Sequence, residues 1–220
     1  MSVPKKRMPA PERREHILRS ASKVFSRKGY RLTSVSDIVQ EASIGRGTFY
    51  LYFESKRDIF RELIESYFED YTRILQENHR RLIDAFREPS RILGTWRENM
   101  LRVLRYAAEN PDLTHIVYRE ALGKDEDFSD RVEELSRLAR EMLKEEFQIM
   151  YDRGMMRACD IEVVTSIIMG STVYLVMEQL LAGNEDVERL TDDMVEYHIR
   201  ALIPDEGDVK RALRSALGGS

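Results

Sequence analysis

Cysteine is almost absent from these 220 residues, with Cys159 standing alone. A lone thiol forms no internal disulfide, which removes the small stapled folds and points to a reducing cytoplasm. Glycine and proline are sparse, at eleven and six, and no strand-like alternation of apolar and polar residues is sustained. The longest uncharged apolar-leaning run, Val163–Met177, falls short of the ~20 residues of a membrane helix, so no membrane partner is expected. Lys5-Lys6-Arg7 is not followed by an apolar stretch, so the N-terminal segment is not expected to be a secretory signal. The Gly-Gly-Ser end is set aside. Catalytic patterns are missing as well. There is no nucleophile elbow, no phosphate loop and no paired Cys/His metal spacing. Gly45-Arg-Gly47 is far short of a dinucleotide fingerprint, and the neighbours Glu12 and His16 lack the repeated Glu-x-x-His of a di-iron bundle. No enzyme, metal or cofactor is expected.

Charged residues make up 34% and apolar ones 42%, the balance of a globular chain rather than a disordered one. The net charge of −4 hides a split. Residues 1–57 hold 13 Lys/Arg against 5 Asp/Glu, and residues 58–220 hold 22 against 34. A basic head on an acidic body suits a polyanion.

Helical periodicity runs throughout, so the fold class is all-α: three short helices, then a bundle of about six. The first helix opens near Pro11, carries Ile17, Ala21, Val24 and Phe25 on one stripe, and stops at Gly29. Ser34-Val-Ser-Asp37 is a capping box for the second, whose inner face is Val35, Ile38 and Ala42. Ser43-Ile44-Gly45 breaks the chain before a third helix through about Phe53. Ser55-Lys-Arg-Asp58 starts a long fourth helix. Further helices are predicted at about 91–109, 113–122, 128–153, 160–182 and 187–203. The expected division is a head at 1–57, a bundle at 58–204 and a tail at 205–220.

Two short helices joined by three residues form a helix-turn-helix pattern. On the third helix, Phe49 and Phe53 share an inward face, with Gly47 and Leu51 opposite. Arg46, Thr48, Tyr50 and Tyr52 flank the two faces. Tyrosine hydroxyls suit phosphates, Gly47 permits close backbone approach, Leu51 suits a thymine methyl, and Arg46 a guanine edge or phosphate. Lys56, in the first turn of the next helix, suits a phosphate.

The stretch TSVSDIVQEASIGRGTFYLYFESKRDIF, Thr33–Phe60, resembles the signature of the tetracycline-repressor (TetR) family of bacterial transcription regulators. The resemblance covers about Ile17–Leu63, including the Phe25…Gly29-Tyr30 end of the first helix. It implies that Ser34 caps the helix crossing the DNA backbone, that Arg46, Gly47 and Tyr50 read or approach bases, and that Thr48, Tyr52 and Lys56 grip phosphates. Gly45 departs from the serine often found there as helix cap, at a cost of a few tenths of a kcal/mol. The resemblance further implies a homodimer on double-stranded palindromic operator DNA, most simply a repressor released by an effector.

Beyond the head, the apolar helix at about 160–182 carries two stripes. One holds Val163, Ile167, Gly170, Tyr174, Met177 and Leu181, the other Val164, Ile168, Ser171 and Leu175. Such a helix is covered on both sides, either by its own core or by core and a partner subunit. The resemblance favours a partner, across Val164, Ile168, Ser171 and Leu175 with Met194 of the last helix. Trp96, Met100, Tyr118, Phe147, Met150 and Tyr174 are candidates to line a pocket for a small hydrophobic or amphipathic effector, or else are core. Arg119 either pairs with Glu120 or meets an acidic head group. The rival class is an all-α enzyme or carrier of apolar ligands whose basic head serves another polyanion, such as a membrane surface.

Overall fold

The computed structural model describes residues 9–118 and 129–203. Among these the chain is helical, with no strand. In order the helices are α1 (Ala10–Lys28), α2 (Val35–Glu41), α3 (Arg46–Tyr50), α4 (Lys56–Ala85), α5 (Ile92–Glu109), α6 (Pro111–Ile116), α7 (Ser129–Asp152), α8 (Ile161–Leu175) and α9 (Val187–Leu202).

Local chemistry sets most of these boundaries. α1 has proline in its first turn and ends where Gly29, at φ 83°, donates its N–H to the Phe25 carbonyl. The predicted capping box of α2 is complete. The Asp37 N–H donates to Ser34 Oγ at 3.2 Å, and the Ser34 N–H donates to Asp37 Oδ2 at 2.8 Å. At the start of α4 the Asp58 N–H donates to Ser55 Oγ at 3.3 Å, and the Ser55 hydroxyl donates to Asp58 Oδ2 at 3.0 Å. The Asp160 carboxylate accepts from the N–H groups of Glu162 and Val163 and caps α8. α6 starts at Pro111, two residues earlier than predicted, because proline suits a first helical position. Its predicted end at 122 lies outside the described residues, as do Arg119 and the expected tail.

α8 departs from the single helix expected to reach 182. It stops at Leu175 and passes into one π turn, Val176–Leu180, closed by the Leu181 N–H on the Val176 carbonyl. Val176 and Leu180, at the two ends of the turn, are both buried. Together these residues make a 20-residue helix, Ile161–Leu180, apolar and long enough to cross a membrane by length and composition. This is longer than the run read from sequence, because the few polar residues at its ends do not interrupt it.

The chain packs as two compact units. The first takes in the described residues up to 67 together with 112–118, and the second 68–111 with 129–203. The expected boundary after residue 57 therefore falls inside α4, near its start. In the first unit Ile17, Ala21, Phe25, Ile38, Phe49, Ile59 and Phe60 are essentially sealed from solvent. Tyr67 and Thr114 meet here through their hydroxyls, and burial pushes the Tyr67 phenol up to about 12. In the second unit α5 packs on α9 and α7 on α8, around Ile92, Leu104, Phe147, Val195 and Ile199.

Candidate nucleic-acid interface

α3 is five residues long and is held from behind. Phe49 is wholly buried and Phe53 nearly so, with ring centroids 6.1 Å apart. Both rings were predicted to point inward from their four-residue spacing. Arg14 of α1 lies 4.8 Å over the Phe53 ring and pairs with Glu62 of α4 through both guanidinium nitrogens. α2 is tied to α1 by three further contacts: His16 Nε2 to the Ala42 carbonyl at 2.9 Å, Arg27 to Glu41, and Lys28 to Asp37. Lys28, with the Ser34 N–H and hydroxyl, holds the Asp37 carboxyl well below the usual carboxylate range. The turn between α2 and α3 includes Ser43 in the left-handed region at φ 49°, a conformation a side chain adopts only when its surroundings enforce it.

The outward side of α3 is bare. Leu51 is 80% exposed and Tyr50 51%, its ring edge-on to Phe49 at 5.2 Å. Arg46 is exposed and makes no ion pair among the described residues. A Cβ at Gly47 would meet nothing within 4 Å, so no intramolecular contact requires glycine there. Thr48 and Tyr52 are half-buried at the border. Gly45 is the N-cap with extended backbone and no side-chain cap bond. Ser34 is exposed, although its hydroxyl is engaged with Asp37. The face thus offers one cation, one phenol, one leucine and a glycine, on a helix whose back is fixed in aromatic packing. Such an assembly can follow a groove edge.

Lys56 differs from expectation. Its ammonium does not stand free for a phosphate. It donates to the carbonyls of Tyr30 at 2.8 Å and Thr33 at 2.7 Å, with the Arg31 carbonyl at 3.4 Å. Nothing in the sequence marked these three loop carbonyls as partners.

A model of the bacterial regulatory proteins of the tetR family matches residues 17–63, the segment that builds this face. Over this segment the chain matches the TetR family. The HTH-type transcriptional regulator YdgC of Bacillus subtilis (strain 168) is 27% identical to it over 203 residues, spanning 90% of this chain and 97% of YdgC. The HTH-type transcriptional repressor DhaR of Mycobacterium sp. (strain GP1) is 27% identical over 117 residues, 50% of this chain and 58% of DhaR. Among solved structures, a TetR-like transcriptional regulator from Rhodococcus sp. RHA1 superposes with a TM-score of 0.70 at 21% identity, over 88% of this chain and 97% of that one. That likeness shows a shared fold. The matched segment and these relatives support a DNA-binding transcriptional regulator of the TetR type.

The candidate effector and partner residues fall into distinct settings. Trp96, Met100, Phe147 and Met150 are all buried in the second unit, with Trp96 edge-on to Phe147 at 6.5 Å. The Trp96 ring also stacks on His198 at 5.7 Å, and burial lowers that imidazole to about 4. Tyr118 belongs to the first unit, where burial pushes its phenol up. Tyr174 does not join a buried set: it is 66% exposed. The two apolar stripes of α8 are also assigned differently from the expectation. Ile168 and Met194 are buried in the chain's own core, and Val164, Ser171 and Leu175 are half-buried. Val163, Ile167, Gly170, Tyr174 and Met177 are the residues left exposed. Sequence periodicity supplied both stripes but not which one the chain covers itself.

Proposed function

We propose that this TetR-family regulator is a homodimeric repressor that binds a palindromic operator and is released by a small, largely apolar effector. The observation that carries the reading is the pairing of two unfilled surfaces of different chemistry: the bare outward face of α3, and the exposed apolar stripe of α8. In this reading Arg46, Gly47 and Tyr50 meet bases, Leu51 meets a thymine methyl, and Thr48 and Tyr52 contact phosphates, with Ser34 at the entry of α2. Residues 1–57 form the DNA-binding part, 58–204 the effector and dimer part, and 205–220 a tail. The partner subunit covers Val163, Ile167, Gly170, Tyr174 and Met177, with Tyr197 of α9, 64% exposed, at the margin. That seam replaces the one centred on Val164, Ile168, Ser171, Leu175 and Met194. A two-fold dimer reads half-sites one helical turn, about 34–36 Å, or a multiple apart.

The effector reading is supported by the methionine and aromatic content of the second unit around Trp96, Met100, Phe147 and Met150. Acyl chains, aromatics and hydrophobic drugs are the effector classes such side chains would accept. Release requires that the effector bind the DNA-free form more tightly; a coupling of about 1–3 kcal/mol loosens operator binding roughly 5–150-fold. The relative DhaR, named as a repressor, favours repression over activation. A DNA-binding role also favours the cytoplasm.

Selection of bound duplexes from a random pool tests the reading. A palindrome is the expected product, with dimers in sedimentation at micromolar concentration. Recovery of no sequence, together with binding to anionic vesicles, would replace it with the carrier reading. Quenching or enhancement of Trp96 fluorescence by an effector panel, accompanied by DNA release, tests the effector.

A further inference from the structure

We infer that Lys56 is a positioning residue that closes the helix-turn-helix at its base and does not grip a DNA phosphate through its ammonium. The inference rests on the DNA-binding role of α2 and α3. The loop between α1 and α2 turns three carbonyls toward one point, those of Tyr30, Arg31 and Thr33, and Lys56 Nζ occupies it. An ammonium has three N–H donors around one centre, which matches three converging oxygens. The same Nζ lies 4.6 Å from the centroid of the Tyr30 ring, a cation–π contact. That ring also packs on Phe60 at 4.3 Å, one turn further along α4.

Thr33 precedes the N-cap of α2, and Lys56 is the first residue of α4. Their contact joins positions 23 apart in sequence and encloses α2, the turn and α3. Thr33 is itself fixed, 2% exposed with its hydroxyl donating to the Gly29 carbonyl at 2.7 Å. Any displacement of the start of α4 therefore pulls directly on the start of α2. Lysine suits this role better than arginine, because a planar guanidinium cannot direct three donors at one tripod of carbonyls.

Lys56→Met and Lys56→Arg separate this role from a phosphate contact. Binding is measured across a salt series on a duplex recovered by selection and on an unrelated duplex. The expected result is that Lys56→Met binds the selected duplex about tenfold or more weakly, the scale of a lost charge-assisted hydrogen bond. Its salt slope stays that of the wild type, Lys56→Arg fails to restore affinity, and backbone amides of residues 34–51 exchange faster in both. A slope reduced by about one unit, with rescue by arginine, means a released counterion and overturns the inference. Unchanged affinity in both variants at a temperature where they remain folded overturns it too, leaving the contact merely structural. If Lys56→Met does not stay folded, Lys56→Arg, which keeps the charge and most of the stem, decides on the same criteria. Wild-type protein that binds neither duplex overturns the DNA-binding role itself, and the positioning role falls with it, whatever the exchange pattern shows.

Discussion

α3 and α8 both present large side chains to solvent, and they do so for opposite chemical reasons. On α3 the exposed groups are mixed: an arginine, a tyrosine, a leucine and a glycine within six residues, in a segment whose surroundings are basic. Water solvates the polar members, so the face is stable unoccupied and suited to a charged, hydrated partner. On α8 the exposed residues Val163, Ile167, Tyr174 and Met177 continue along one side of the helix with Ser166 and Gly170 among them. Water solvates that stripe poorly, and contiguous apolar surface of this kind suits an apolar partner, in the proposed reading a second subunit. An exposed aromatic ring is thus informative only with its neighbours: Tyr50 beside Arg46 and Tyr174 beside Ile167 and Met177 announce different partners.

The sharpest break in this comparison comes from adjacent residues of α8. Ile168→Arg buries an unpaired charge at a site 3% exposed, and should unfold the second unit or destabilise it by about 4 kcal/mol or more. Ile167→Arg, one residue away and 52% exposed, should leave melting of the isolated protomer nearly unchanged. It should instead convert dimers to monomers in sedimentation and abolish tight operator binding. Dimers persisting in Ile167→Arg would remove the stripe from the interface.

The same contrast is available on the third helix. Phe49→Ala should cost about 3–5 kcal/mol by leaving a cavity behind the reading face, seen as loss of the head's cooperative melting. Leu51→Ala, at an 80% exposed position, should change stability by no more than about 0.5 kcal/mol while weakening operator binding.

Acid should act on the second unit through His198. Its folded value of about 4 lies below the ordinary 6.5 because burial disfavours the imidazolium. Between those values the unfolded chain binds the proton more readily than the folded one. Stability is therefore complete above about pH 6.5, falls as pH drops toward 4, and loses up to roughly 3 kcal/mol from this group. Denaturant melts of wild type and His198→Gln across that window measure it; the variant should lack this part of the slope.

Arg46→Ala should cost about 1–3 kcal/mol at whichever base it reads and relax preference there alone, measurable by repeating the selection. The smallest effect is expected at Gly45. A Cβ there would sit 3.8 Å from Thr48 Oγ1, an ordinary contact, and the backbone is already extended. Gly45→Ser should therefore add a cap bond to α3 and stabilise the head by a few tenths of a kcal/mol.

Local signals in the sequence determined most of the architecture, because helix periods, caps and breakers act within a few residues of one another. The Ser34–Asp37 box, the stop at Gly29, the Asp160 cap and the inward pair Phe49 and Phe53 all belong to this class. So does the Thr33–Phe60 signature, whose spacing is itself local. Three features were decided only by tertiary structure. Periodicity drew two apolar stripes on α8 with equal force, and only the packing of the second unit chose which is covered. Composition grouped Tyr174 with Trp96 and Phe147, although it lies on the uncovered stripe. The charge of Lys56 suggested a phosphate, but its strongest partners are carbonyls 23 to 26 residues away along the chain. Backbone oxygens carry no residue identity, so no sequence pattern announces where three of them converge; that convergence exists only once α1 and α4 have packed.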